Sequence, residues 1–231
     1  MLILGLTGSI AMGKSTTALA FRGFGLPLFD ADLAVHDLMG PGGRAVAAVL
    51  DAFPETGDAC TGIDRKKLGA RVLGNPPALT RLEAILHPAV REAERRFLQR
   101  ASRNGDRIVV LDVPLLFETR GERRCDATVV VSAPPALQRA RALARPGMTP
   151  ERLDAILRRQ IPDALKRRRA DFVVRSGAGR AQALADVTAV LKALSRRTPR
   201  RWPEGWLTHS QRRTARGGVG DDGGTPERED E

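Results

Sequence analysis

The stretch that most constrains this chain is "GSIAMGKS", Gly8 to Ser15, which reads G-x-x-x-x-G-K-S. It follows the apolar run "LILGLTG" (2–8) and opens a helical pattern over 14–22, with Ala18, Leu19 and Phe21 as its apolar positions. In that context successive backbone N–H groups and a helix N-terminus converge on an anion. Gly8 and Gly13 let the backbone wrap phosphates, and Lys14 supplies a point charge at the β/γ position. The Ser15 hydroxyl suits Mg²⁺, and Thr16 reaches towards the α-phosphate. The pattern predicts a nucleoside triphosphate site built on a strand, loop and helix.

Four more apolar runs read as strands: 26–30, 107–113, 127–133 and 171–176. Several are continuous Val/Ile/Leu runs, as expected of parallel strands covered on both faces. Helical patterns separate them, so the fold class expected is α/β, a doubly wound five-stranded parallel sheet. About 75 residues lie between the second and third strands, more than a crossover needs. Helices are expected there over 44–53, 65–74 and 80–101, forming a second wall over the cleft, with His87-Pro88 breaking or kinking the last. A second helical excursion over 135–169 is Arg-rich, with Thr149 as N-cap and Pro150 at N1. The expected layout is a core of 1–30, 104–134 and 170–198, a helical insertion 31–103, a lid 135–169 and a disordered tail 199–231.

The loop alone does not say whether phosphate is hydrolysed, sensed or transferred. A guanine-reading N-K-x-D is absent, and "DLMG" (37–40) sits on a helical pattern rather than after a strand. A small-molecule kinase needs a base, an acceptor pocket and a lid, and each has candidates. Asp30 and Asp32 follow the second strand near the carboxyl edge of the sheet, where ligands bind. Either one can take the acceptor hydroxyl's proton, and either can instead cap a helix. Asp112, at the end of the third strand, is placed to order the Mg²⁺ shell or to bond the loop. Arg141 and Arg145 lie nearest the fourth strand and are the lid cations best placed to reach phosphate. Arg152 and Arg158 read as a solvated helix face. His36 and His87 are candidate ligands, although structural histidines are commoner.

The net charge of +11 favours an anionic partner, and a polyphosphate substrate satisfies it. No aromatic residues interleave the basic runs, as single-strand binding requires, so no obligate nucleic acid is expected. A P-loop regulatory or RNA-binding protein is the alternative from another class, and a nucleoside monophosphate kinase the alternative within this one. Cys60 and Cys125 lie far apart without ligand-spaced neighbours, so a cytoplasmic protein without zinc or disulfides is expected. No apolar run approaches a membrane span.

Taken together, "LTGSIAMGKSTT", "LPLFDADLAVHDL", "LHPAV", "VPLLFE" (113–118) and "RPGMTPERLDAILRRQIPDALKRRRADFVV" resemble dephospho-coenzyme A kinases. The resemblance covers about 2–195, in order. It implies transfer of the γ-phosphoryl of ATP to the ribose 3′-hydroxyl of dephospho-coenzyme A, the last step of coenzyme A synthesis; ATP and Mg²⁺ are the expected cofactors, and a monomer is expected. Nucleotide contacts are then expected at Gly8 and at Ala11, Met12, Gly13, Lys14, Ser15 and Thr16, with Ser15 on the metal. The same resemblance puts the catalytic aspartate at Asp32, with Lys14 and Arg141 beside it. It puts lid arginines at Arg141 and Arg145, and a glutamine after the lid helix at Gln160. The insertion 31–103 becomes the acceptor-binding region, with His87 and Pro114 among the substrate contacts. One departure stands out: where the family often has Asn before Gly after the fifth strand, this chain reads "VVRSGAG" with Arg175.

Overall fold

The structure is a computed structural model and describes residues 1–203. Strand β1 (Leu2–Thr7) runs into the phosphate loop and helix α1 (Lys14–Gly23). Next come β2 (Leu28–Asp30), α2 (Ala31–Met39), α3 (Val46–Ala52), a two-strand hairpin β3 (Gly57–Asp58) and β4 (Gly62–Ile63), α4 (Arg65–Val72) and α5 (Pro76–Arg103). The chain returns to the sheet as β5 (Ile108–Asp112) and β6 (Ala127–Ser132). It then leaves as α6 (Pro135–Leu143), α7 (Pro150–Arg159) and α8 (Asp163–Arg169), and closes with β7 (Phe172–Arg175) and α9 (Arg180–Leu194).

The five long-range strands form one parallel sheet in the order β2-β5-β1-β6-β7. These are the five strands expected, and their burial explains their sequence. In β1, Leu2, Leu4 and Leu6 join a core with Phe21 of α1 and Val187, Val190 and Leu194 of α9. Ile3 faces the other way, onto Leu98 and Ala101 of α5 and onto Leu111 and Leu116. Both faces are dry, so both parities of the strand are aliphatic.

The insertion has its own core of Leu38, Val46, Val49, Ile63, Leu68, Val72, Leu82 and Leu86. Helix α5 serves both bodies, with Leu82 and Leu86 in the insertion core and Leu98 under the sheet. At 28 residues it is a strut of about 42 Å. The expected break at Pro88 does not occur, because the helix runs through it. Pro88, His87 and Ala84 all lie on the exposed side. Water can therefore satisfy the Ala84 carbonyl that the missing N–H leaves free, while packing on both sides of the proline keeps the segment helical. The small hairpin β3–β4 was not expected, being two residues a side.

The 135–169 excursion is three helices with a small core of its own. Leu153, Ala142 and Ala11 are buried together, with Ile10, Leu143, Met148 and Leu157 against them, so the lid packs directly on the phosphate loop. Thr149 is the N-cap of α7, its hydroxyl accepting from Arg152 N–H at 3.3 Å, with Pro150 in the first turn. Arg152 and Arg158 are exposed, as expected. The tail expected from 199 starts tethered. The N–H groups of Arg200 and Arg201 donate to Asp126 Oδ1, and the Trp202 indole donates to Ser102 Oγ. The rest of that tail, 204–231, lies outside the described residues.

Candidate active site

At the carboxyl edge of the sheet, between the phosphate loop, the lid and α9, lies a cavity of about 1020 Å³. It is lined by Gly8, Ala11, Gly13, Lys14, Ser15 and Thr16 of the loop, and by Asp32, Pro114, Arg141, Arg145 and Gln160. The loop's shape depends on its glycines. At Gly8 a Cβ would come within 2.9 Å of the Val131 carbonyl oxygen. Gly13 has φ +87° and would meet Ser176 at 3.0 Å, so a side chain there is excluded by both conformation and space.

Lys14 and Asp112 meet beneath the cavity. Lys14 Nζ lies 2.7 Å from Asp112 Oδ1, with Asp112 at 2% exposure. Burial pushes the Asp112 carboxyl up to about 6, against the pull of Lys14, and the nearby charges of Asp30 and Asp32 push in the same direction as burial. The bond to the loop expected as one of two roles for Asp112 is made through Lys14.

The two aspartates after β2 separate cleanly. Asp30 is the N-cap of α2, its Oδ1 accepting the Leu33 N–H at 3.0 Å, and it borders a second, smaller cavity with Phe29, Phe97 and Arg96. Asp32 sits in the first turn of α2, exposed, and lines the main cavity with Lys14. The strand ends at Asp30, so the two carboxylates do not share a strand face. Asp30 takes the capping role, and Asp32 is the one that lines the main cavity.

The 135–169 excursion holds the phosphate loop through two glutamine amides and, by way of Ser176, through an arginine. Gln138 Nε2 donates to the Ile10 carbonyl at 2.9 Å, and Gln160 Oε1 accepts the Ile10 N–H at 3.1 Å. Arg141 donates from Nη1 to Ser176 Oγ and from Nη2 to the Ser176 carbonyl, both at 3.1 Å. Ser176 Oγ in turn donates to the Met12 carbonyl at 2.6 Å. Ser176 therefore ties the loop, the lid arginine and the turn after β7 together. Neither Ser176 nor Gln138 was expected from the sequence. Ser176 had only its place after the fifth strand to mark it, and Gln138 had no signal at all.

Other expected residues fall elsewhere. Met12 is buried at 2% with its Sδ accepting the Ala133 N–H, so its side chain anchors the loop to the end of β6 and does not line the cavity. His87 is exposed on α5 and borders neither cavity described above. His36 Nδ1 is 3.3 Å from Arg65 Nη1, outside the main cavity. Arg175 forms a bidentate pair with Asp186 of α9, at 2.7 and 3.0 Å, and leaves the cavity wall to Ser176. That pair holds the Asp186 carboxyl down at about 2.

The dephospho-CoA kinase family matches residues 2–182. A dephospho-CoA kinase of Rhodospirillum rubrum is 54% identical over 208 residues, covering 90% of this chain and 98% of that one. One from Paramagnetospirillum magneticum is 61% identical over 168 residues, 72% of this chain and 78% of its own. Among solved structures, the crystal structure of TT1252 from Thermus thermophilus is 33% identical with a TM-score of 0.72, covering 83% of this chain and 96% of that one. The family match spans the phosphate loop, Asp32, the Pro114 loop and the lid alike, and by that match this chain belongs to the dephospho-CoA kinase family.

Proposed function

We infer that Asp32 is the general base of this kinase, accepting the proton of the acceptor hydroxyl as that hydroxyl attacks the γ-phosphoryl group of ATP. As a dephospho-CoA kinase the protein phosphorylates dephospho-coenzyme A with ATP at the ribose 3′-hydroxyl, the final step of coenzyme A synthesis. The observation that supports the assignment is the shared wall of one cavity. Lys14 and Ser15 stand on the donor side, Asp32 and Pro114 on the other, and Arg141 and Arg145 come from the lid. In phosphoryl transfer there is little covalent work for protein groups. Positioning and charge supply most of the rate.

The loop N–H groups and the N-terminus of α1 receive the β- and γ-phosphates, and Lys14 turns from Asp112 to the same oxygens. Arg141 and Arg145 bring positive charge to the transferring group, and the packed lid keeps water from competing with the acceptor. The donor set suits Mg²⁺: the Ser15 hydroxyl and the Asp112 carboxylate are oxygen ligands beside the phosphate loop. Among the described residues no cluster of three or more His, Cys, Asp or Glu side chains forms a cage. A cation held mainly by substrate phosphates needs none. Bound there through Ser15, Mg²⁺ would neutralise charge on the β- and γ-oxygens. Cys60, exposed, and Cys125, buried, are free thiols, which supports a cytoplasmic, reducing setting.

The test is an acceptor panel with the purified full chain: ATP with dephospho-coenzyme A, AMP, CMP or shikimate, and the product's phosphate located by ³¹P NMR. Phosphate on the ribose 3′-oxygen of dephospho-coenzyme A alone is expected. Equal use of AMP or CMP would move the reading to a nucleoside monophosphate kinase.

A further inference from the structure

Lys166 is fully buried, while its neighbours Arg167, Arg168 and Arg169 on α8 are exposed. An ammonium group out of water is costly unless an anion meets it. The anion is Glu118, the last residue of "VPLLFE", with Nζ 2.8 Å from Oε1. The contact is an ion pair by distance, without the alignment of a hydrogen bond. Glu118 Oε2, and Asp163 Oδ1 one turn earlier on α8, are buried without a hydrogen-bond partner. Two apolar side chains would hold α8 more cheaply, so stability alone is a poor account of this pair.

The surroundings of Glu118 suggest a better one. Its Oε1 also accepts the Ile161 N–H at 2.9 Å, at the junction between α7 and α8. The residue before Ile161 is Gln160, which lines the cavity and holds the Ile10 N–H of the phosphate loop. At its other end, the segment carrying Glu118 begins on the acceptor side. Val113 N–H donates to the Leu6 carbonyl at 2.9 Å, and the Pro114 carbonyl accepts from Thr7 Oγ1, also at 2.9 Å. Pro114 lines the cavity with Asp32 and Lys14. Glu118 thus lies four residues along the chain from Pro114, and its bond to the Ile161 N–H leads through Gln160 to the phosphate loop.

We propose that Glu118 is a positioning residue of the phosphoryl transfer: its buried pair with Lys166 fixes the α7–α8 junction, so that Gln160 holds the phosphate loop in register with the acceptor-side segment that starts at Pro114. This rests on the reading of the cavity as the kinase site. Glu118 touches neither the loop nor the cavity itself and acts through Ile161 and Gln160. The carboxylate supplies both an oxygen that accepts the Ile161 N–H and the negative charge that the buried Lys166 ammonium requires, a combination that neither an apolar residue nor an amide offers.

The experiment compares the full chain with Glu118→Gln, Gln160→Met and the double variant, measuring thermal midpoint, kcat and KM for each substrate, and ATP hydrolysis without acceptor. Glu118→Gln keeps an oxygen for Ile161 N–H and removes the charge that fixes it. The expected result is a loss in kcat/KM of about tenfold in each single variant, with a higher share of ATP lost to water. The double variant is expected to lose no more than the worse single one, because the two residues act along one chain of contacts. Additive losses, or wild-type kinetics in Glu118→Gln, would overturn the inference. If Glu118→Gln does not fold, the neutral pair Glu118→Gln/Lys166→Met replaces it, since removing both charges relieves the unpaired ammonium. That variant must show the same kinetic loss, and wild-type transfer in it also overturns the proposal. Wild-type protein that fails to make the 3′-phosphate would instead sink the kinase assignment.

Discussion

Lys14 and Asp112 stand 2.7 Å apart across the floor of the active site, one from the phosphate loop and one from the end of β5. The pair joins the lysine of the phosphate loop, proposed above to hold phosphate, to a carboxylate whose burial raises its proton affinity, and a pH dependence is expected from that coupling. The Asp112 carboxyl is pushed up to about 6. It is ionised and paired above that pH and neutral below it, so kcat/KM is expected to fall on the acid side with a midpoint near 6. The stability contribution has the opposite sign. From Asp112 alone the folded state is favoured below the ordinary value of 3.8, and that advantage is lost as pH rises through about 6. In Asp112→Asn the acid limb of the rate profile and this part of the stability profile should both disappear. Rate and thermal-midpoint profiles from pH 4.5 to 8 measure them, and an unchanged acid limb in the variant would assign it to another group.

Asp32 and Asp30 offer a paired comparison. Asp32→Asn is expected to lower kcat roughly a hundredfold or more while the affinity for ATP barely moves, as for a group used mainly in the transition state. Asp30→Asn should retain most activity, because Asn caps a helix about as well as Asp. Steady-state kinetics of both variants, with ATP affinity by calorimetry, decide the matter. Comparable turnover in Asp32→Asn would remove it from the mechanism.

Ser176 links three parts of the site with one hydroxyl and one carbonyl. Ser176→Ala keeps the carbonyl bond to Arg141 but loses the hydroxyl's bonds to Arg141 and to the Met12 carbonyl, each worth about 1 kcal/mol. The KM for ATP is therefore expected to rise about fivefold to thirtyfold, with little change in the KM for the acceptor. Ser176→Thr, which retains a hydroxyl, should restore most of the loss. An equal rise in both KM values would point to a general disturbance of the fold.

The sheet was legible because burial on both faces writes itself into a strand as an unbroken aliphatic run. All five such runs became strands of one parallel sheet. The phosphate loop was legible because its glycines are required by conformation and space at known positions. Of the break or kink expected at Pro88, the break does not occur, because a local rule takes no account of the two cores that grip α5 on either side of it. The resemblance put Met12 among the nucleotide contacts; its side chain points into the protein, which leaves only its backbone for such a contact and which spacing along a loop cannot reveal.

By itself the sequence determined the fold class, the anion-binding loop and the short list of carboxylates and cations, since these follow from local periodicity and residue chemistry. Only the tertiary structure decided which of Asp30 and Asp32 caps a helix and which faces the cavity, that Lys14 rests on Asp112, that Gln138 and Ser176 bond the phosphate loop, and that Glu118 pairs with the buried Lys166. Those contacts join residues up to 164 positions apart along the chain. Their partners are chosen by the packing of separate helices on one sheet edge, and no local pattern encodes that choice.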